Sequence, residues 1–382
     1  MAYGLWTRVC GPILVLLALL TGCTAVTHVH PHPLPTSALP PMSETEAGYH
    51  DYIGVIHVHT TYSHDAHGTF EHAVRVANAQ RLDYLIITDH NTLRALREGK
   101  EGWHGTTLVL IGEEISTRSG HYLALNVHEE VSRRLPTQQI IDEVNRQGGL
   151  GFIAHPYFKK RRWTDWSVTG YTGIETYNVA HDTLDENTLR LVLWTLGSPA
   201  EPFYLSILDR PYDPLAKWDE LIRQRGPLVG IGSSDAHEIW VFGITFAPYE
   251  DLFQLVRTHL LIRSATLTPE LVYDALRHGH AYVAIELIAD ARGFSFTVDD
   301  AHTVRGIMGD TITFEPGLHL SVSLPAIADL TLFRDGQAVD TRTDYAWQIP
   351  LIQPGAYRLE AIRHGKPWIF SNPIYVRPTD VR

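Results

Sequence analysis

The chain has 382 residues, with 31 Lys and Arg against 43 Asp and Glu, a formal charge of −12. That length buries a sizeable core, in two domains or in one large α/β barrel with an appendage, and 44% hydrophobic against 19% charged residues excludes wholesale disorder. The acidic balance argues against a dedicated nucleic-acid surface, the 22 histidines exceed what packing needs, and two cysteines, Cys10 and Cys23, supply neither a disulfide framework nor a thiolate zinc site.

Arg8 precedes an apolar run, 12–20, that is too short for a transmembrane helix of roughly 20 residues but suits a signal-peptide core. It ends in Leu20-Thr21-Gly22-Cys23, which resembles a bacterial lipobox. The resemblance implies cleavage before Cys23, lipid on its thiol, and a chain anchored in the cell envelope, on the periplasmic face of the outer membrane. Residues 24–48, with His28, His30, His32 and interspersed prolines, read as an extended tether.

From residue 49 to 289 short apolar runs alternate with helical patterns. Phe70, Ala73, Val74 and Ala77 form one helical stripe, and Ile140, Ile141 and Val144 form another in a helix opened by Thr137 and stopped at Gly148-Gly149. This alternation predicts a mostly parallel sheet of barrel type. From 290 to 382 the period changes to two, in runs such as 294–298, 318–322, 330–333 and 357–361, separated by turns such as Asp335-Gly336. That pattern predicts a C-terminal antiparallel β-sandwich-like domain.

Polar residues collect at the ends of the barrel-type strands: His57-Val58-His59, Asp89-His90, Glu113-Glu114, His121, His155 and Asp235-Ala236-His237. Residues two apart on a strand share a face, so His57 and His59 can reach one ion. One metal cluster accounts for all these strand ends together, and oxygen and imidazole donors without thiolate suit Zn, Mn or Fe. No Gly-x-Ser-x-Gly elbow surrounds Ser63, Ser233 or Ser234, and there is no P-loop.

The segments HVHTTYSHD, LIITDHNT, GEEIST, GHYLALNV, AHPY and SSDAH, in this order, resemble the PHP metallohydrolases, and with GIETYN and the run 278–296 they resemble the CehA/McbA branch. The resemblance covers residues 50–380. It implies a distorted (β/α)7 barrel holding two or three divalent ions. His57, His59, Glu114 and Asp235 would hold the first. Glu114 would bridge to a second, completed by His121 and His155. Asp65, His90 and His237 would hold a third. Glu113 competes with Glu114, and His64 with Asp65. Adjacent metals would activate a hydroxide, with Asp235, His237 and His181 as catalytic candidates and the basic Lys160, Arg161 and Arg162 as contacts for an anionic substrate. The implied activity is hydrolysis of a small phosphomonoester. The alternatives are a carbamate or carboxylic ester hydrolase, for which Tyr157, Trp163 and Trp166 would suit a compact aromatic substrate, and a non-enzymatic metal- or ligand-binding lipoprotein of the envelope. The oligomeric state is not legible.

Overall fold

The computed structural model describes residues 48–179, 200–241, 244–300 and 303–379. Cys23, the signal segment and the tether up to residue 47 lie outside these residues, as does His181. The first part runs β1 (His50–Val58), α1 (Phe70–Ala79), β2 (Tyr84–His90), α2 (Arg94–Arg97), β3 (Gly102–His104), β4 (Thr107–Ser116), β5 (His121–Leu125), α3 (Thr137–Arg146), β6 (Leu150–Ile153), β7 (Gly173–Asn178), α4 (Ala200–Ile207), α5 (Tyr212–Arg225), β8 (Val229–Ser233), β9 (Ile239–Val241), β10 (Ile244–Phe246), α6 (Tyr249–Leu252), β11 (Val256–Ile262), α7 (Pro269–His278) and β12 (Ala281–Ile285). The remainder is all strand: β13 (Ser295–Asp299), β14 (Val304–Ile307), β15 (Thr311–Thr313), β16 (His319–Arg334), β17 (Gln337–Pro350), β18 (Gly355–Arg363), β19 (Lys366–Ser371) and β20 (Ile374–Arg377).

The sheet is mixed, not mostly parallel. β1, β2 and β4 run parallel, as do β6, β7 and β8. Between these sets β5 is antiparallel to both β4 and β6. The reason is connection length: residues 117–120 cannot make the crossover of a dozen or more residues that parallel neighbours require. Gly112 allows the close approach, because a Cβ there would sit 2.5 Å from the Ala124 carbonyl oxygen. On the other side β1 pairs antiparallel with β11, and β11 with β12. The chain after β8 returns to the end of β1. Ser234 N donates to Ile56 O (3.1 Å), and His59 N donates to Ala236 O (2.9 Å).

Helices cover this sheet where their apolar stripes demand it. α1 buries Phe70, Ala73, Val76 and Ala77, so Val76 rather than the expected Val74 completes the buried face, and Thr69 caps it by accepting from His72 N. α3 buries Ile140, Ile141 and Val144 as its pattern requires. α7 starts with Thr268 and Pro269 and stops at left-handed Gly279. Among the described residues no helix is long and apolar enough to cross a membrane.

In the β-rich tail, the runs 318–322 and 330–333 belong to one long strand, β16, which pairs with β13, β17 and β18. Asp335 (φ 50°) and Gly336 (φ 76°) make the β16–β17 hairpin turn, where both residues take the left-handed region that a twisted two-residue hairpin needs. β12 pairs with β19, so hydrogen bonding continues from the first part into the tail. Buried Arg358 of β18 donates to both carboxylate oxygens of Asp219 on α5 (2.7 and 2.6 Å), and its neighbour Glu360 receives Arg210 through two bonds (2.6 and 2.7 Å).

Candidate metal centre

The strand ends converge on Glu114, buried at the end of β4. Its Oε2 lies 3.3 Å from His57 Nε2, 3.2 Å from His59 Nε2 and 3.0 Å from His90 Nδ1. Its Oε1 lies 2.8 Å from His121 Nδ1 and 3.0 Å from His155 Nε2. Asp235 Oδ1 closes one side, 3.4 Å from the Nε2 atoms of both His57 and His59. Asp65 Oδ2 sits 3.3 Å from His90 Nε2 and 3.8 Å from His237 Nε2, with the His237 ring stacked on His59.

Of the open pairs, Glu113 points the other way, accepting from Val131 N (2.8 Å), and burial raises its carboxyl to about 7. His64 is 79% exposed, while Asp65 faces His90.

Backbone irregularity builds this convergence. His57 is an extra residue in β1, since Ile56 pairs with Ile86 and Val58 with Ile87, and it takes φ 66°. Simple alternation is therefore not what brings His57 and His59 together. A bulge re-aims the first imidazole just before the strand ends. His155 (φ 26°) and Asp235 (φ 50°) are also left-handed non-glycine residues, a conformation that costs about 1–3 kcal/mol and persists where surrounding structure enforces it.

Ring orientation is fixed from outside the cluster. His57 donates Nδ1–H to Glu175 Oε1 (2.6 Å), His59 donates Nδ1–H to Ser63 Oγ (3.0 Å), and His237 donates Nδ1–H to the Asp235 carbonyl (2.8 Å). Each thereby turns its Nε2 toward the carboxylates. Ser63 also accepts from His90 N (2.9 Å) and donates to Asp89 Oδ1 (2.8 Å), which is further held by Thr60. Glu175 Oε2 accepts from His155 N (2.6 Å) and from Asn178 Nδ2 (2.9 Å). Glu175, Asn178, Ser63 and Asp89 carried no assigned role in the sequence, although GIETYN and HVHTTYSHD contain three of them. Ser63, Ser233 and Ser234 spend their hydroxyls on Asp89, Tyr177 O and His57 O, which is positioning and not nucleophilic activation.

Burial alone would raise the Glu114 and Asp235 carboxyls, but the surrounding imidazoles, His57 first, hold both well below the usual carboxylate range. His237 is lowered too, here by burial and then by His59, to about 4, leaving a neutral ring. His57 Nε2, His59 Nε2 and His90 Nδ1 are buried with no hydrogen-bond partner. Buried polar atoms are rarely left so. His121 Nδ1 and His155 Nε2 face each other at 3.2 Å, an arrangement of two basic nitrogens that a shared cation satisfies. Four groups of ligand-type side chains result, each with donor atoms within 4.8 Å of one another: His57, His59 and Glu114; His57, His155 and Asp235; His90, Glu114 and His121; His59, His90 and His237. The residues fit divalent ions with nitrogen and oxygen donors.

Lys160, Arg161 and Arg162 are exposed in the loop after His155, with Arg162 over the Tyr157 ring (5.0 Å). Trp163 is buried against Tyr122, which removes it from the set of substrate-facing aromatics.

A buried centre of histidines and carboxylates on a mixed α/β scaffold is thus the class the fold and site define. No protein-family profile matches the chain. An uncharacterized protein of Methanocaldococcus jannaschii is 32% identical over 114 residues, which is 27% of this chain and 66% of that protein, so the chain spans just under two thirds of that relative. Among solved structures, a two-domain protein of Bacteroides vulgatus containing a predicted PHP-like metal-dependent phosphoesterase aligns over 88% of this chain and 100% of its own at 15% identity and a TM-score of 0.42. PsfC of Pseudomonas syringae aligns over 58% of this chain and 88% of its own at 13% identity and a TM-score of 0.38.

Proposed function

We propose that the protein is a metal-dependent hydrolase of PHP type, built on a distorted seven-stranded barrel and acting on a small phosphomonoester. The observation that carries this reading is the set of orphaned ring nitrogens of His57, His59 and His90 around Glu114. The motif resemblance supports the division of ligands: His57, His59, Glu114 and Asp235 for one ion, Glu114, His121 and His155 for a second, Asp65, His90 and His237 for a third. Bound divalent ions would supply Lewis acidity and activation of water near neutral pH. The chain's own part is to hold ionised carboxylates and oriented imidazoles in fixed positions, so that little reorganisation accompanies reaction. Lys160, Arg161 and Arg162 are placed in sequence to meet an anionic group approaching from the His155 side.

The test is a screen of the metal-reconstituted full chain against phosphomonoesters, aryl carbamates and carboxylic esters. Turnover of phosphomonoesters that a chelator abolishes is expected. Turnover of carbamates or esters alone would reassign the substrate class, and metal binding with no turnover would make this a binding protein.

The envelope location is part of the same proposal and rests on the lipobox-like Leu20-Thr21-Gly22-Cys23. One lipid and a tether would keep the hydrolase at the membrane surface without embedding it. Cys23→Ser should release the chain from the membrane fraction, and an equally membrane-bound Cys23→Ser protein would contradict the anchor.

A further inference from the structure

Glu175 is buried within β7, and three hydrogen-bond donors are aimed at it: His57 Nδ1–H on Oε1, and His155 N–H and Asn178 Nδ2–H on Oε2. The same Asn178 amide reaches Ser233 Oγ (3.1 Å) and lies 3.5 Å from Asp235 Oδ2. Residues three apart on a regular strand face opposite ways. Here Thr176 is an extra residue, since Glu175 pairs with Ile231 and Tyr177 with Gly232, so Glu175 and Asn178 share one face. Two of the residues they contact, His155 and Asp235, and the residue whose ring Glu175 holds, His57, are the left-handed, strained positions of the centre.

We propose that Glu175, assisted by Asn178, is a positioning residue common to the first and second metal positions: one carboxylate orients the His57 ring with one oxygen and pins the His155 backbone with the other. The inference rests on the metal-centre reading above. It explains why a carboxylate is required. All three neighbours are donors, so an amide in its place faces a choice. Presenting its oxygen to His57 turns its NH2 against His155 N–H and Asn178. Presenting its NH2 to His57 forces the other tautomer, placing the proton on Nε2 and removing the lone pair that would bind the ion. An ionised partner also raises the basicity of the ligating nitrogen, and losing such a partner typically costs roughly 10–100-fold in metal affinity.

The experiment is cobalt(II) titration of the metal-stripped full chain, followed by visible absorption and by counting bound ions, for the parent, Glu175→Gln and Asn178→Ala. For Glu175→Gln the expected result is affinity weaker by roughly 10–100-fold at two ions together, although Glu175 ligates neither, with an altered cobalt spectrum and a metal-free melting temperature close to the parent's. Asn178→Ala leaves Glu175 intact and should weaken binding less, with a spectral change of the same kind; it serves as the test if Glu175→Gln does not fold. Parent-like affinity and spectrum in a folded Glu175→Gln protein, or in Asn178→Ala should the former not fold, would overturn the inference and leave the metal centre standing. A parent that binds no cobalt would overturn both.

Discussion

Five imidazoles, those of His57, His59, His90, His121 and His155, surround the single carboxylate of Glu114. Both oxygens are engaged, each by a different set of rings, the arrangement that the proposed bridge between two ions would use. Glu114→Ala should therefore lose more bound metal than His90→Ala, measured by elemental analysis; parent-like metal content in Glu114→Ala would remove the bridge. Asp65→Ala should lower metal content while His64→Ala should not, because Asp65 faces His90 and the His64 ring faces solvent. A second buried residue gives a pH signature away from the centre. His259 on β11 lies between Asp51 (2.8 Å) and Glu286 (2.9 Å), and although burial opposes protonation, Asp51 and then Glu286 raise it to about 9. A raised histidine stabilises the fold fully below its unfolded value of about 6.5, and the stabilisation is lost as pH rises through about 9. The difference in unfolding free energy between the parent and His259→Gln should thus shrink by roughly 3 kcal/mol from pH 6 to pH 10. A difference that is flat across that range would show that His259 is neutral in the folded protein.

At the scale of elements, most candidate ligands were legible because they fall at the end of an apolar run, where a strand ends and a site begins; His121 instead opens β5, and Asp65 lies beyond the end of β1. The helices α1 and α3 were legible from their stripes. What the sequence hid were the bulges. A period-two reading has no way to register the extra residues His57 and Thr176, and so it missed how Glu175 and Asn178 come to one face. A lone Glu inside a strand carries no pattern of its own; two of the three donors that explain its buried charge, His57 Nδ1 and His155 N, are distant in sequence. The antiparallel β5 was visible in principle from the four-residue connection before His121, since chain length alone forbids a crossover. The join between α5 and β18 was not visible, because Asp219 and Arg358 are far apart in sequence. Removing the guanidinium leaves Asp219 buried without its two-bond partner, while Glu360 keeps Arg210, so Arg358→Met should cost about 3–5 kcal/mol in denaturant unfolding. A loss below about 1 kcal/mol would mean that water replaces the guanidinium at little cost.

Across the whole molecule the chemistry and the β-rich tail are separate in sequence but not in hydrogen bonding. The residues that converge on Glu114 all lie between His57 and His237, and His319 and His364 of the tail are in none of the ligand groups among the described residues. The tail joins the first part through β12–β19 pairing, through Asn372, whose side chain bonds Gly230 N and O (2.8 and 2.9 Å), and through the Arg358 and Arg210 ion pairs. That arrangement suits a brace behind a preorganised centre, where fixed ligand geometry is what the chemistry needs. The central claim is that the histidines and carboxylates at these strand ends hold ions, and anomalous X-ray diffraction from crystals of the manganese- or zinc-loaded full chain addresses it directly. The account predicts anomalous peaks on either side of the Glu114 carboxylate, one within coordinating distance of His57 Nε2 and His59 Nε2 and the other of His121 Nδ1 and His155 Nε2. Loaded crystals with no peak at Glu114, and with these imidazoles hydrogen-bonded to the carboxylates instead, would contradict it.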